Sequence, residues 1–161
     1  MAKRAEVTKL VLGALGQTAQ ISTLQDRKRI QKSIYLAQSV GVDLGYYFNW
    51  YLMGPYCSSL AKDYYELNQS TAGDENVGRL RDDVLEKLRK VSEAATSRNK
   101  PVGLNDVDWL EALASIHYLD NVARLDKESV ARKIEREKPH LKNYVEQARE
   151  VVSGLTAIKV Q

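Results

Sequence analysis

The residue types in this chain that could support catalysis are its one thiol, Cys57, and a histidine, His117. A thiol–imidazole dyad needs the two groups in contact, and no spacing rule in the sequence predicts such a contact. On a helical wheel His117 falls within an apolar face. A histidine there either acts as a base or hydrogen-bonds a buried carbonyl, and the sequence supplies no carboxylate to orient it. Two histidines and one cysteine are too few ligands for a zinc site, so we predict no metal. Since no catalytic constellation is evident either, we predict no catalytic residues and no cofactor.

A second candidate is the Gly54–Asp63 corner, where a Gly-Pro pair ends a predicted strand and feeds a predicted helix. Backbone N–H groups at a helix start are unpaired and favour an anion or carboxylate. The hydroxyl groups of Tyr56, Ser58 and Ser59 would add donors there. The alternative is a structural corner, in which Ser58 or Ser59 caps the helix and Tyr56 fills the core.

Four cations, Arg27, Lys28, Arg29 and Lys32, lie in the first half of a predicted helix. Lys28, Arg29 and Lys32 would share one side and could contact phosphates together, whereas Arg27 lies nearer the apolar side, within reach of an acid such as Asp63. The alternative is a solvated face. A phosphate-binding helix should continue into groove-reading polar residues, but this one runs into the predicted core, which weakens a DNA-binding interpretation.

Six of the eleven residues at positions 46–56 are aromatic. Their alternation predicts a strand at about 46–53 that ends at Gly54-Pro55, with bulky side chains on both faces. Rings that stack on nucleic-acid bases must be exposed, whereas a strand covered on both faces predicts core packing. Tyr47 and Tyr51 would then lie at the rim as anchors for a partner.

Apolar spacing predicts a mainly α (α+β) fold, a single compact helical domain over residues 1–161. The second helix would open with a Thr23–Asp26 capping pair, with its basic half at the surface and its C-terminal half at the domain centre. Residues 96–103 are predicted to be a flexible loop, and 69–78 a loop with a short strand around Val77. The expected helices are 3–15, 23–41, 58–68, 79–92, 105–119, 126–138 and a last helix to 152. The residues assigned to the structural core are Ile34, Tyr35, Trp50, Asp63 and His117.

Composition restricts the class of protein. Apolar residues make up 43% and charged residues 28% of the chain, as in ordinary globular domains. A single cysteine excludes a disulfide framework and fits a reducing cytoplasm. No apolar run near the start of the chain approaches the ~20 residues of a membrane span. The net charge of +3 is too small to indicate nucleic acid, although basic blocks at 1–33 and 79–100 flank an acidic middle. We expect a cytoplasmic protein that does not enter the membrane.

The chain also carries a recognisable succession of motifs: Arg29–Gln38, Tyr47-Phe48, and Tyr51–Cys57 followed by Leu60 and Asp63. This succession resembles the YwgA-like proteins and, more loosely, the Panacea (SocA-like) domain of bacterial and phage toxin–antitoxin systems. Leu113–Leu119 and Lys138-Pro139-His140 resemble the YwgA-like branch, so the resemblance covers about residues 20–152. Met53 and Cys57 depart from the pattern, which commonly has Tyr and Ser there. The resemblance implies protein–protein interaction, as an antitoxin or a proteolytic adaptor, without a catalytic residue set.

We predict a small non-catalytic regulatory or interaction protein, antitoxin-like or adaptor-like, that binds a protein partner such as a toxin. The alternatives are a helix-turn-helix-type DNA-binding regulator that uses the basic half of the second helix, and an enzyme that uses Cys57 or His117. The residues predicted to contact the protein partner are Tyr47, Tyr51, Gly54, Pro55, Tyr56, Ser58 and Ser59. Those predicted to contact DNA are Arg27, Lys28, Arg29 and Lys32.

Overall fold

Helices dominate the computed structural model, which describes residues 4–69, 79–96 and 99–159. The mainly α prediction is confirmed. A π-helical turn at Tyr118–Val122 follows the helix that ends at His117, and a 3-10 turn at Pro139–Tyr144 precedes the last helix. The helices are α1 (Arg4–Ala14), α2 (Leu24–Ser39), α3 (Ser58–Lys62), α4 (Tyr64–Gln69), α5 (Asp82–Ala95), α6 (Asp106–His117), α7 (Lys127–Glu137) and α8 (Val145–Lys159).

Side-chain caps explain where several of these helices begin. At α2, Asp26 N donates to Thr23 Oγ1 at 3.0 Å and Thr23 N donates to Asp26 Oδ2 at 3.2 Å, which forms the predicted capping box. Asn105 caps α6 and Asp126 caps α7 in the same way, each accepting from a backbone N–H three residues later. These starts could be predicted because the capping residue and the N–H it accepts from are close in sequence.

The core forms around α6, which packs against both α2 and α8. Ile34 of α2 and Leu113 of α6 are fully buried. Trp109 is also fully buried, and its indole Nε1 donates to Ala94 O of α5 at 2.9 Å, so its one polar atom is satisfied. One face of α2 packs against α6. This face includes side chains from the basic half of α2.

A two-stranded antiparallel hairpin covers one end of these helices. β1 (Asn49–Tyr51) pairs with β2 (Gly54–Tyr56), with Trp50 opposite Pro55. The predicted strand at 46–53 is therefore shorter than expected, and Gly54-Pro55 begins a second strand instead of ending the first. Gly54 has φ of +91°, a conformation that L side chains rarely adopt, and this lets the chain reverse within two residues.

The expectation that both faces of the aromatic run are covered is wrong. Tyr46 is buried, but Tyr47 is 86% exposed and Leu52, in the hairpin turn, is 92% exposed. Tyr46, Phe48 and Trp50 are buried or half-buried, whereas Tyr47, Asn49 and Tyr51 are exposed, so only one face of the run is covered.

The predicted strand around Val77 lies outside the described residues, and the predicted loop at 96–103 lies partly outside them. Within the part of the chain that is described, no helix combines the length and the apolar character needed to cross a membrane.

Candidate functional site

The basic segment of α2, Arg27–Lys32, is half-buried or buried, not at the surface as the sequence predicted. Lys32 is 1% exposed, and the side chain of Lys28, one turn earlier, is 8% exposed. Both lysines face α6, because residues four apart share one face of a helix. Arg27 and Arg29 are only half-buried, so the four cations do not form one surface.

Glu111 of α6 supplies the negative charge at the centre of this cluster, and it is itself 1% exposed. Its Oε1 lies 2.6 Å from Lys28 Nζ and 3.0 Å from His140 Nε2, and its Oε2 lies 2.6 Å from Lys138 Nζ. Burial alone would raise the pKa of Glu111, but the ion pairs with Lys138 and Lys28 outweigh burial and lower it to about 2. Glu111 is therefore ionised, and one carboxylate compensates two buried ammonium groups.

The prediction overlooked Glu111. The only signal in the sequence was its position within an apolar stretch of α6, between Leu110 and Ala112. A charged residue inside a buried helical face must be paired, but the sequence does not say with what.

The lysines of the cluster also hold the backbone of the hairpin. Lys138 Nζ donates to Leu52 O at 2.7 Å, and Lys32 Nζ donates to Pro55 O at 2.7 Å. Between them lies Gly54, where an added Cβ would come within 2.6 Å of Ser115 Oγ. The hairpin thus rests directly on the buried charges, with no space for a side chain at position 54.

Lys32 differs electrostatically from the other two lysines. Among the described residues no carboxylate forms an ion pair with it, and its ammonium group donates to a neutral carbonyl, Pro55 O. Burial, the largest influence, lowers the pKa of Lys32 to about 7. Glu111 raises that pKa, whereas Lys138 and Lys28 lower it further. Lys32 is therefore the lysine of the cluster whose charge is least compensated by the residues around it.

A cavity of about 160 Å³ opens beside the cluster, between α2, α4 and the hairpin. Its mouth lies near four exposed apolar residues, which we call the tip patch: Leu24, Tyr51, Leu52 and Met53. Leu24 and Met53 belong to both the tip patch and the cavity wall, and Tyr51 packs edge-on against the cavity residue Tyr56 at 5.3 Å between ring centroids. The lining residues are Leu24, Arg27, Lys28, Gln31, Lys32, Met53, Tyr56 and Tyr64.

The residues predicted to bind a protein partner do not lie on one surface. Tyr51 and Tyr56 lie together at the cavity, but Tyr47 lies apart on the wall of a second cavity. Gly54 and Pro55 are buried, so they cannot contact a partner directly; they cover the charge cluster instead.

The corner that follows the hairpin is built differently from the prediction. Cys57, not Ser58 or Ser59, is the N-cap residue of α3, and its Sγ accepts from Leu60 N at 3.4 Å. Gln31 of α2 fixes the same corner, because its Nε2 donates to Cys57 O at 3.0 Å and its Oε1 accepts from Cys57 N at 2.8 Å. Ser58 is exposed and Ser59 is half-buried.

Cys57 and His117, the two residues of the dyad considered above, have different partners. Cys57 Sγ lies 3.2 Å from Ser59 Oγ, whereas His117 Nδ1 lies 2.6 Å from Tyr35 Oη. His117 and Tyr35 are both largely buried on the wall of the second cavity, which has a volume of about 330 Å³. Burial raises the pKa of Tyr35, so its hydroxyl is un-ionised and available for this hydrogen bond.

The residues assigned to the core are only partly interior. Ile34, Tyr35 and His117 are buried, but Trp50 and Asp63 are half-buried. Trp50 Nε1 donates to Glu137 Oε1 at 2.9 Å.

Asp63 accepts from Tyr46 Oη at 2.7 Å and from Arg4 Nε at 3.3 Å. Arg27, which was expected to reach an acid such as Asp63, donates instead to Ile21 O at 2.8 Å.

Asp108, Glu111 and His140 have potential metal-ligand atoms within 4.8 Å of one another. Lys28 Nζ, however, lies 2.6 Å from Glu111 and 3.5 Å from Asp108, so an ammonium group already supplies the positive charge between these carboxylates. This arrangement is an ion-pair network that fixes α2 to α6.

Comparisons with family models, with curated proteins and with solved structures gave no match for this chain.

Proposed function

We propose that this protein is a non-catalytic, cytoplasmic interaction protein, antitoxin-like or adaptor-like, that captures a protein partner on the tip patch. The observation that carries the proposal is at Leu52. Its side chain is 92% exposed, whereas its carbonyl oxygen is held at 2.7 Å by the ammonium group of a buried lysine, Lys138.

An exposed apolar cluster on a fixed backbone is well suited to partner binding. Contiguous exposed apolar residues mark interaction sites more often than scattered ones do. A two-stranded hairpin is only marginally ordered by itself, so the hydrogen bonds from Lys32 and Lys138 keep the tip patch in one arrangement before a partner arrives. Less conformational entropy is then lost on binding.

The motif resemblance to YwgA-like and Panacea proteins supports the same choice, because it implies protein–protein interaction. The DNA-binding alternative loses support, since Lys32 is buried and Lys28 is committed to Glu111. Arg27 and Arg29 are half-buried, so the four predicted phosphate contacts do not form one exposed basic surface.

The proposal is tested by a photocrosslinking amino acid placed at Leu52 in nuclease-treated extracts of the native host. The matched control is the same amino acid at Val102, which is apolar and fully exposed but distant in sequence from the hairpin. We expect one stoichiometric protein that crosslinks from position 52 and not from position 102, and that Leu52→Ser no longer retains. Equal crosslinking from both positions, or recovery of nucleic acid alone, would refute the proposal.

A further inference from the structure

The cavity beside the tip patch has a marked charge asymmetry. Three of its lining residues are cationic, Arg27, Lys28 and Lys32, and none of the described lining residues is acidic. A cavity with cationic side chains in its wall favours an anionic group.

The buried charges behind this wall, the lysines around Glu111, also have more positive than negative groups. Glu111 pairs with both Lys28 and Lys138, and Asp108 approaches Lys28 from a partly exposed position. Lys32 Nζ donates to Pro55 O, which offers only a partial negative charge. A carboxylate stabilises a buried ammonium group more than a carbonyl does, because its full negative charge attracts the ammonium group more strongly in a low-dielectric interior.

The size and the walls of the cavity decide which kind of anion fits. At about 160 Å³ it is smaller than the roughly 300–1,000 Å³ of pockets that enclose small-molecule ligands, so it matches one amino-acid side chain. Leu24, Met53 and Tyr64 present apolar surface suited to the methylene groups of an acidic side chain, not to a fully polar phosphate.

We infer that this cavity receives an acidic side chain, glutamate or aspartate, from the partner protein that docks on the tip patch. The inference rests on the proposed function, because Leu24 and Met53 belong to both the tip patch and the cavity wall. The carboxylate would pair with Lys32, and its aliphatic stem would pack between Leu24 and Met53. An apolar contact at the tip would thus be joined to one buried charge contact.

The chemistry of the cavity is tested with small probes by two-dimensional NMR of the intact protein. The probes are N-acetyl-glutamate α-amide, its glutamine counterpart and inorganic phosphate. We expect the glutamate probe to bind at least about tenfold more tightly than the glutamine probe, because loss of a hydrogen bond to a charged group has an effect of this size. Equal affinity for the two amides, or tighter binding of phosphate, would overturn the inference.

Substitutions test whether the charge of Lys32 causes the preference for the glutamate probe, apart from any effect on folding. Lys32→Gln retains an N–H donor for Pro55 O but removes the charge, and should abolish the preference for the glutamate probe. Lys90→Gln, on α5, is the matched control and should retain it. If Lys32→Gln fails to fold, Arg27→Gln at the cavity wall replaces it, with the preference expected to fall at least threefold; an unchanged preference would contradict the assignment.

The partner captured from position 52 then distinguishes the two proposals. A fall of about tenfold or more in partner affinity for Lys32→Gln, with crosslinking from position 52 retained at higher concentration, supports both. Unchanged affinity overturns the acidic side-chain inference but leaves the proposed function intact. If the glutamate probe binds but no partner is found, the proposed function fails, and the inference is overturned in favour of a site for a free acid.

Discussion

At the scale of single residues, the interior of this protein depends on Glu111. This carboxylate contacts Lys28 of α2 and, from the segment that follows α7, Lys138 and His140. An acid that compensates two buried cations cannot be removed without leaving charge unpaired, even though a wholly apolar replacement of the network could be equally stable. The stability of the interior therefore depends on each buried charge having a partner, not on the presence of polar groups there.

We expect Glu111→Gln to lower the free energy of unfolding by about 3–5 kcal/mol, because Lys138 loses its buried carboxylate partner and Lys28 keeps only the more distant Asp108. Urea unfolding monitored by circular dichroism measures the change. Glu86→Gln serves as the control, since Glu86 pairs with Arg89 on the exposed face of α5 and its replacement should leave the free energy of unfolding nearly unchanged. Equal effects of the two substitutions would contradict the central role of Glu111.

The lowered pKa of Lys32 should make the stability of the protein depend on pH. Its pKa is about 7 in the folded protein and near 10.5 when unfolded, mainly because of burial, with Glu111, Lys138 and Lys28 as the charged neighbours. The unfolded state binds more protons between these values, so the Lys32 contribution to stability rises as pH increases from about 7 towards 10.5 and is lost as pH falls through 7.

Comparison with Lys32→Met isolates this contribution, because all other titrating groups are shared. We expect the stability of the wild-type protein relative to the variant to increase by on the order of 1–3 kcal/mol between pH 7 and 9.5. Urea unfolding at the two pH values measures it. A difference that stays constant across this range would mean that Lys32 remains protonated throughout.

At the scale of elements, the hairpin depends on Gly54. A side chain there would meet Ser115 Oγ at 2.6 Å, and φ of +91° is strained for any other residue. We expect Gly54→Ala to destabilise the protein by about 2–4 kcal/mol from clash and strain together. The thermal midpoint and urea unfolding measure this loss.

Gly13→Ala is the control for Gly54→Ala and should have the opposite sign. Gly13 lies in α1, where an added Cβ meets nothing within 4 Å, so alanine should stabilise the helix by up to about 1 kcal/mol. If both substitutions destabilised the protein equally, close packing at position 54 would not be the cause.

Some helices and strands could be predicted from the sequence and others could not. The starts of α2, α6 and α7 were predictable because each cap lies within three residues of the N–H it accepts from. The hairpin was not predictable, since its second strand begins with Gly-Pro, a pair typical of strand ends. The direction of the basic half of α2 was predicted wrongly, because Glu111, the carboxylate that pairs with Lys28, lies 83 residues further along the chain.

At the scale of the whole molecule, Lys138 joins distant parts of the chain, because it follows α7 and binds Leu52 O, 86 residues earlier. We expect Lys138→Met to lower the hydrogen-exchange protection of amides in β1 and β2 by about 10- to 100-fold, since a hydrogen bond from a charged group is lost. Amides of α1, which packs mainly against α2, α4 and α5, report any global change.

Lys142→Met is the control for this exchange measurement, since Lys142 is exposed and lies four residues further along the chain. Its hairpin amides should retain the wild-type protection. Similar losses in α1 and in the hairpin of Lys138→Met would mean that the whole fold has weakened, and would contradict a local role in ordering the tip.

The buried cap of α3 has a practical consequence for labelling. Cys57 is the only cysteine in the chain and is 1% exposed, so maleimide reagents should scarcely reach its thiol in the folded protein. A cysteine introduced at Leu52, where the side chain is 92% exposed, would then be the one thiol that takes up a fluorophore. The natural sequence thus permits site-specific dye attachment at the hairpin without first removing a native cysteine, and arrival of another molecule at the tip could be followed by fluorescence anisotropy.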